Sequence, residues 1–189
     1  VIAISPELRS TGRYTAMGKN WSGSVRGACP AYFQVRDWPL SSGAIFDDED
    51  VRTMASVAVI GQTVVDRMFP DEPEVIGKTL RIGGIPFQVI GTLTKKGAAP
   101  WGEDQDDIVI IPHTTSMKRV IGTNRLRTIN VKIASADLLP VAREQTILLL
   151  RARHNIGDLS QDDFSVRTQD EFIQMATQTP RVMTLLLGS

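Results

Sequence analysis

Gly77-Lys78-Thr79 ends as a phosphate-binding loop ends, with a lysine to reach terminal phosphates and a hydroxyl for magnesium. The first glycine of G-x-x-x-x-G-K-[ST] would fall on Glu72, however, and Pro73 follows it. A carboxylate there repels phosphate, so the segment reads as a turn entering a strand. Asp47-Asp48-Glu49-Asp50 and Glu103-Asp104-Gln105-Asp106-Asp107 are acidic clusters of a kind that could converge on calcium. A calcium loop begun at Asp104 puts Ile108 at its fifth position and no glycine at its sixth, so both clusters read as solvated or partner-facing loops. His113 and His154 lack the H-x-x-x-H or H-E-x-x-H spacing that sets two imidazoles on one helical face, and each reads as a turn or cap residue. No G-x-S-x-G elbow is present, and Cys29, beside Pro30, has no histidine near it in sequence. No catalytic, cofactor-binding or metal-ligating set emerges.

Composition agrees with a folded protein that acts through its surface. The 189 residues are 42% hydrophobic and 22% charged, enough for one sizeable core or two small ones. Lys plus Arg and Asp plus Glu each number 21, and no long basic stripe offers counterion release, so nucleic acid is not an expected partner. The single cysteine, Cys29, excludes an internal disulfide and reads as a small half-buried apolar residue; it leaves the redox compartment open. No run reaches the ~18 to 20 apolar residues of a membrane span, and Val1 does not begin a signal peptide. The chain enters a strand at once and breaks off as it turns apolar, so it reads as a piece of a longer protein, with Gly188 and Ser189 as added residues.

The elements that must hold these residues fall into three stretches. In the first, residues 1–4 read as a strand stopped by Ser5-Pro6, residues 13–17 and 21–26 as a hairpin across Gly18-Lys19-Asn20, and residues 30–36 as a short helix with Pro30 in its first turn. Trp38-Pro39 and Ser41-Ser42-Gly43 mark a crossing point. In the second, residues 57–60 read as a buried strand, Gly61 opens a helix whose Val64, Val65, Met68 and Phe69 share a face, and Gly83-Gly84 joins strands 78–82 and 85–92. Residues 107–111 form another strand, after which Thr114 or Thr115 caps a brief helix ended by Gly122.

The third stretch reads as a βαβα unit: a strand over 128–134 with Ile129, Val131 and Ile133 on one face, the longest helix over 139–153, a cap at His154-Asn155-Ile156-Gly157, a strand over 163–167, and a capping box at 168–171 before Phe172, Ile173 and Met175. A unit with an open end needs further strands, and the first stretch has a hairpin to give. The expected fold is therefore α+β: one discontinuous α/β domain from both chain ends, residues 1–40 and 127–189, with a β-rich domain inserted over 41–126.

An ordered set of segments is similar to a known family: Val57-Ala-Val-Ile-Gly61, Ile76-Gly-Lys-Thr-Leu-Arg-Ile82, Pro86-Phe-Gln-Val-Ile-Gly91, Lys96-Gly97, Asp104-Gln-Asp-Asp107 and Ile111-Pro112, with Leu149-Leu-Arg-Ala-Arg-His154, Asp162-Asp163-Phe164, Ile4-Ser-Pro6 and residues 27–32 flanking them. In that order, over nearly the whole chain, they resemble the periplasmic domain of MacB-type ABC transporter permeases. The resemblance implies a "porter" subdomain split by a β-rich "sabre" subdomain, lying between the first two transmembrane helices of an inner-membrane homodimer. It implies no cofactor in this segment, with ATP and magnesium at a separate cytoplasmic nucleotide-binding domain.

It further implies a non-catalytic element that relays ATP-driven motion, meets a periplasmic adaptor bound to an outer-membrane channel, and supports efflux of macrolides, peptides and other periplasmic compounds. In a Gram-positive host the same domain would be extracellular. The recognition surface is expected on loop 95–107, at Lys96, Trp101, Asp104, Gln105, Asp106 and Asp107. Trp101 either meets the partner or fixes the loop to its own domain. Two alternatives stand beside this reading: a lipoprotein-releasing permease that hands cargo to a soluble chaperone, and a hydrolase whose site gathers His113 or His154 with a carboxylate and a hydroxyl.

Overall fold

The computed structural model describes residues 1–99, 102–157, 160–171 and 174. It is mixed α+β and divides into two compact units, residues 3–132 and residues 1–2 with 133–189. The long strands β1 (Ala3–Ala16) and β2 (Lys19–Ala28) form a hairpin in which Ala16 pairs with Lys19. Its turn is Met17-Gly18, one residue earlier than the spacing predicts, and both residues have positive φ. β1 is not stopped by Ser5-Pro6. At Pro6 it pairs on one side only, with Ile129 of β8 (Thr128–Lys132), where a missing N–H is tolerated.

Six strands close into a ring. β2 runs parallel to β7 (Ile108–Pro112), β7 antiparallel to β4 (Val57–Ile60), and β4 parallel to β6 (Ile85–Leu93). β6 then pairs antiparallel with β5 (Thr79–Ile82), and β5 returns to β1 at Tyr14↔Ile82. Closure removes the sheet edges that would otherwise invite association. The Gly83-Gly84 turn forms as the sequence predicts, at φ 57° and 87°. Every ring strand places residues in one core: Tyr14, Val25, Ala58, Ile60, Leu80, Ile82, Phe87, Val89, Val109 and Ile111. Helix α3 (Gln62–Met68) adds Val64 and Met68 to that core, its apolar face as expected.

The apolar runs at 57–60 and 108–111 follow from burial on both faces. Val59, Ile108 and Ile110 point outward into a second core with Ala28, Tyr32, Phe33, Trp38, Phe46 and Leu93. Helix α1 (Ala31–Val35) covers it, and Phe33 meets Tyr32 and Phe46 edge to face at 5.8 and 5.6 Å. Each fully buried large side chain contributes roughly 1.5 to 3 kcal/mol. The short strand β3 (Leu40–Gly43) pairs with β6, and helix α2 (Asp48–Thr53) follows it. The hairpin strands of the first forty residues are thus ladder partners of the middle stretch, and the compact units part after residue 132.

After β7, the chain winds a short helix α4 (His113–Thr115) that runs into a π-helical turn at Ser116–Ile121, closed by left-handed Gly122. Neither threonine caps it. The Thr114 hydroxyl donates to the Val51 carbonyl and that of Thr115 to the Ala55 carbonyl, at 2.5 and 2.9 Å. In the other unit, helix α5 (Leu139–His154) has proline in its first turn and left-handed Asn155 at its C-cap, as the sequence indicates. The strand expected over 163–167 is not formed; these residues are irregular, although Phe164 and Val166 are the half-buried members of an alternating pattern. The Thr168 amide donates to the Glu171 carboxylate at 3.0 Å, and the Glu171 amide to the Thr168 hydroxyl at 3.3 Å, so the capping box is present. Phe172, Ile173 and Met175 lie outside the described residues.

Candidate partner-binding loop

The loop from β6 to β7 is tied down where it leaves β6. The Trp38 indole donates to the Thr94 carbonyl at 2.8 Å, and the Thr94 amide to the Pro39 carbonyl at 3.1 Å. Within the loop, Ala98 bridges Asp104, the Ala99 amide donates to the Glu103 carbonyl at 2.8 Å, and the Gln105 amide to the Gly97 carbonyl at 3.2 Å. Asp106 organises it. Only 1% exposed, its carboxylate accepts from the amides of Lys96 and Gly97, each at 2.8 Å. The Asp106 amide in turn donates to Asp104, whose other oxygen accepts from the Thr63 hydroxyl at 2.7 Å.

The nominated residues therefore divide. Asp104 is exposed and Gln105 half-buried, so both reach solvent, while Asp106 faces inward. Asp107 is half-buried and accepts from the Trp21 indole at 3.0 Å; burial pushes its carboxyl above the ordinary range, reinforced by the Asp104 charge and opposed by the Trp21 hydrogen bond. Lys96 is exposed, donates to the Arg36 carbonyl at 2.7 Å and lies 4.5 Å over the Trp38 ring. Partial burial and then the Arg36 charge pull its pKa down, against the carboxylates of Asp37 and Asp106. Trp101 lies outside the described residues.

Gly61 lets this loop approach α3. A β-carbon there would sit 2.2 Å from the Asp106 carbonyl oxygen, and that oxygen belongs to backbone. Gly61→Ala is expected to cost about 1 to 3 kcal/mol, read as a lower urea midpoint at unchanged m-value.

The other candidates have structural employment. Lys78 pairs with Glu72 at 2.7 Å, so the lysine of the truncated phosphate-loop motif is tied to the carboxylate that breaks it. Asp47 to Asp50 are not a loop but the N-terminus of α2, where Asp47 and Asp50 form a reciprocal capping box and negative charge complements the helix dipole. Among the described residues, no group of three or more His, Cys, Asp or Glu side chains could hold a metal ion. The Cys29 thiol donates to the Ile4 carbonyl at 3.5 Å. His154 pairs with Asp163 at 2.7 Å on the surface, and no hydroxyl bonds its imidazole among the described residues. Burial lowers the pKa of His113, opposed by a backbone hydrogen bond at Ala28, and its Nδ1 has no partner among the described residues. Among the described residues, neither histidine gathers the carboxylate and hydroxyl together that a hydrolase would require.

A buried ionic cluster was not anticipated. Glu7, fully buried, accepts from Arg9 and Arg26 at 2.6 Å each and from Asn130 at 2.5 Å, joining β1, β2 and β8. Burial alone would raise its pKa; the charges of Arg26 and Arg9, with hydrogen bonds from Arg9 and Asn130, outweigh that and hold it below 4.5. The available signal is Glu7 sharing strand parity with Ala3 and Ser5, which is visible only if β1 continues through Pro6.

Comparison with known proteins gives one consistent answer. The family model of the MacB-like periplasmic core domain matches residues 1–147. A macrolide export ATP-binding/permease protein MacB from Rhodospirillum rubrum is 37% identical over 188 residues, 99% of this chain and 28% of that protein. One from Azoarcus sp. is 37% identical over 177 residues, 94% of this chain and 25% of that protein. The chain thus spans about a quarter of the length of these relatives. In fold, it resembles the crystal structure of the periplasmic region of MacB from Actinobacillus actinomycetemcomitans, with a TM-score of 0.77 at 24% identity, covering 94% of this chain and 76% of that one. It also resembles the extracellular domain of the noncanonic ABC-type transporter YknZ from Gram-positive bacteria, with a TM-score of 0.71 at 19% identity, covering 84% and 79%. On the match over residues 1–147, this chain belongs to the MacB-like periplasmic core domain family.

Proposed function

We propose that the chain is the non-catalytic extracytoplasmic domain of a mechanotransmitting ABC permease in a tripartite efflux system. It binds a periplasmic adaptor, and through it an outer-membrane channel, and relays the ATP-driven closure of a homodimer. ATP and magnesium belong to the transporter's cytoplasmic nucleotide-binding domain, and flanking transmembrane helices join the two. One observation carries this reading beyond family membership: a closed six-strand ring bears a surface loop whose described residues are tied to one another and to the ring. A relay needs a stiff body with an exposed recognition surface and differential contacts in two states, not an acid or a base. Lys96, Asp104 and Gln105 are the residues of that loop proposed to touch the adaptor, and Asp106 and Asp107 hold it in shape. The porter-like ends at residues 1–40 and 127–189 and the sabre-like insertion at 41–126 belong to the same proposal, with the β1–β2 hairpin shared between them. The fold likeness to YknZ supports a second location, the outside of a Gram-positive cell, for the same kind of domain.

The test uses the full-length transporter with a photo-crosslinking side chain at position 105. Adaptor captured at position 105, and not at exposed position 126 on the approach to β8, is the expected result; equal capture at both would overturn the loop assignment. The isolated chain is expected to hydrolyse no ATP, and measurable turnover by it would sink the non-catalytic reading.

A further inference from the structure

A groove of about 530 Å3 opens on the second core, lined by Phe33, Asp37, Trp38, Pro39, Leu40 and Ile45. Its floor is apolar, with Ile45 40% exposed, Pro39 exposed and Leu40 half-buried. Two independent observations bear on its occupant.

The first is charge. Lys96 lies over the Trp38 ring and donates to the Arg36 carbonyl, while Lys132 donates to the Gln34 carbonyl at 3.0 Å and to Asp37 at 2.6 Å. Lys95 adjoins Thr94, whose amide and hydroxyl both donate to the Pro39 carbonyl at 3.1 Å. Lys96 and Lys132 thus touch residues that line the groove, and Arg36 and Lys95 are next in sequence to Asp37 and to Thr94. Two carboxylates oppose them: Asp37, already paired with Lys132, and Asp106, buried against backbone amides. The chain carries no net charge, so this positive excess is local. The second observation is a strand edge. β3 begins at Leu40, a lining residue, and among the described strands it pairs only with β6, which leaves its other edge without a ladder.

We propose that this groove receives an extended segment of a partner protein in which a large apolar side chain is flanked by aspartate or glutamate. The apolar side chain covers Pro39, Leu40 and Ile45, the carboxylates meet Lys95 and Lys96, and the backbone lies along β3. The proposal rests on the reading of this chain as a recognition domain, but not on which protein is recognised.

Panning a phage-displayed library of random dodecapeptides against the chain tests it. Enriched peptides should carry Asp or Glu next to Leu, Ile, Phe or Trp. Their affinity should fall at least tenfold for Ile45→Glu and for Lys95→Glu/Lys96→Glu, and also as sodium chloride is raised. Lys19→Glu, at the β1–β2 turn, should bind as the wild type does. Thermal melts of each variant separate lost binding from lost folding, because Ile45 and Lys95 are exposed. Failure to enrich any peptide, enrichment of basic peptides, or equal binding to the groove variants would overturn the proposal. Sedimentation with phosphatidylcholine–phosphatidylglycerol vesicles that displaces the peptides would also overturn it, reassigning the groove to a membrane surface. If peptides bind as expected while the crosslink at position 105 captures no adaptor, the groove stands and the adaptor assignment fails.

Discussion

Glu7→Ala is expected to destabilise the chain by about 3 to 5 kcal/mol, because it leaves a buried guanidinium without its counter-charge. The side chain of Glu7 is 0% exposed and that of its partner Arg26 12%. Arg9, at 53%, can turn to water and adds little. Arg26 cannot, since its Nε is already buried without a partner among the described residues, as is the Tyr32 hydroxyl. For a chain of this size, the loss corresponds to a fall in Tm on the order of 10 °C. Chemical unfolding would check it, and a variant within 1 kcal/mol of the wild type would show that the cluster is not a staple.

The same cluster sets an acid dependence whose sign follows from the shift. The folded carboxyl titrates below 4.5, so the stability it contributes is fully present above that pH and is lost as pH falls through the lower folded value. Asp107 acts in the opposite sense: raised above 3.8, its contribution is present below that pH and is lost as pH rises through the raised value. The wild-type curve sums both. The difference between wild type and Glu7→Gln isolates Glu7; it should be widest above pH 4.5 and narrow on acidification.

Local signals made much of the fold legible. Gly83-Gly84 fixes its turn because both positions need positive φ, and Asn155 ends α5 because it tolerates the left-handed region. Non-local pairing was not legible. Nothing between residues 16 and 79 announces that Tyr14 will pair with Ile82 and close the ring, so the hairpin's ladder partners in the middle stretch are not visible in its own segment. Pro6 concealed the Glu7 cluster for a related reason, since a proline interrupts a strand only where a neighbouring strand needs its N–H. Residues 163–167 read as a strand in the sequence, and burial does alternate there, yet alternation records only which side chains face inward; a strand also requires a ladder. In the loop, charge was visible but direction was not. Asp104 and Asp106 look alike in sequence, and only the amides of Lys96 and Gly97 distinguish the one that faces in.

That distinction yields a sharp expectation for Asp106→Ala. The substitution strands two backbone N–H groups that the carboxylate now satisfies, each worth about 1 to 3 kcal/mol when left buried and unpaired. The loop can open to water and recover part of this, so the net loss should be about 2 to 4 kcal/mol, and the opening should be local. Amide exchange at Lys96 and Gly97 should accelerate far more than exchange in the ring strands, with protease cutting after Lys95 or Lys96. Asp106→Asn keeps one acceptor oxygen and should lose about half as much. In the full transporter, Asp106→Ala should weaken adaptor capture at position 105 without touching the adaptor itself, because Asp104 and Gln105 are presented from a frame that Asp106 holds. Unchanged exchange at Lys96 and Gly97 would show that the loop keeps its shape by other means, and that its inward carboxylate is not what makes the outward residues available.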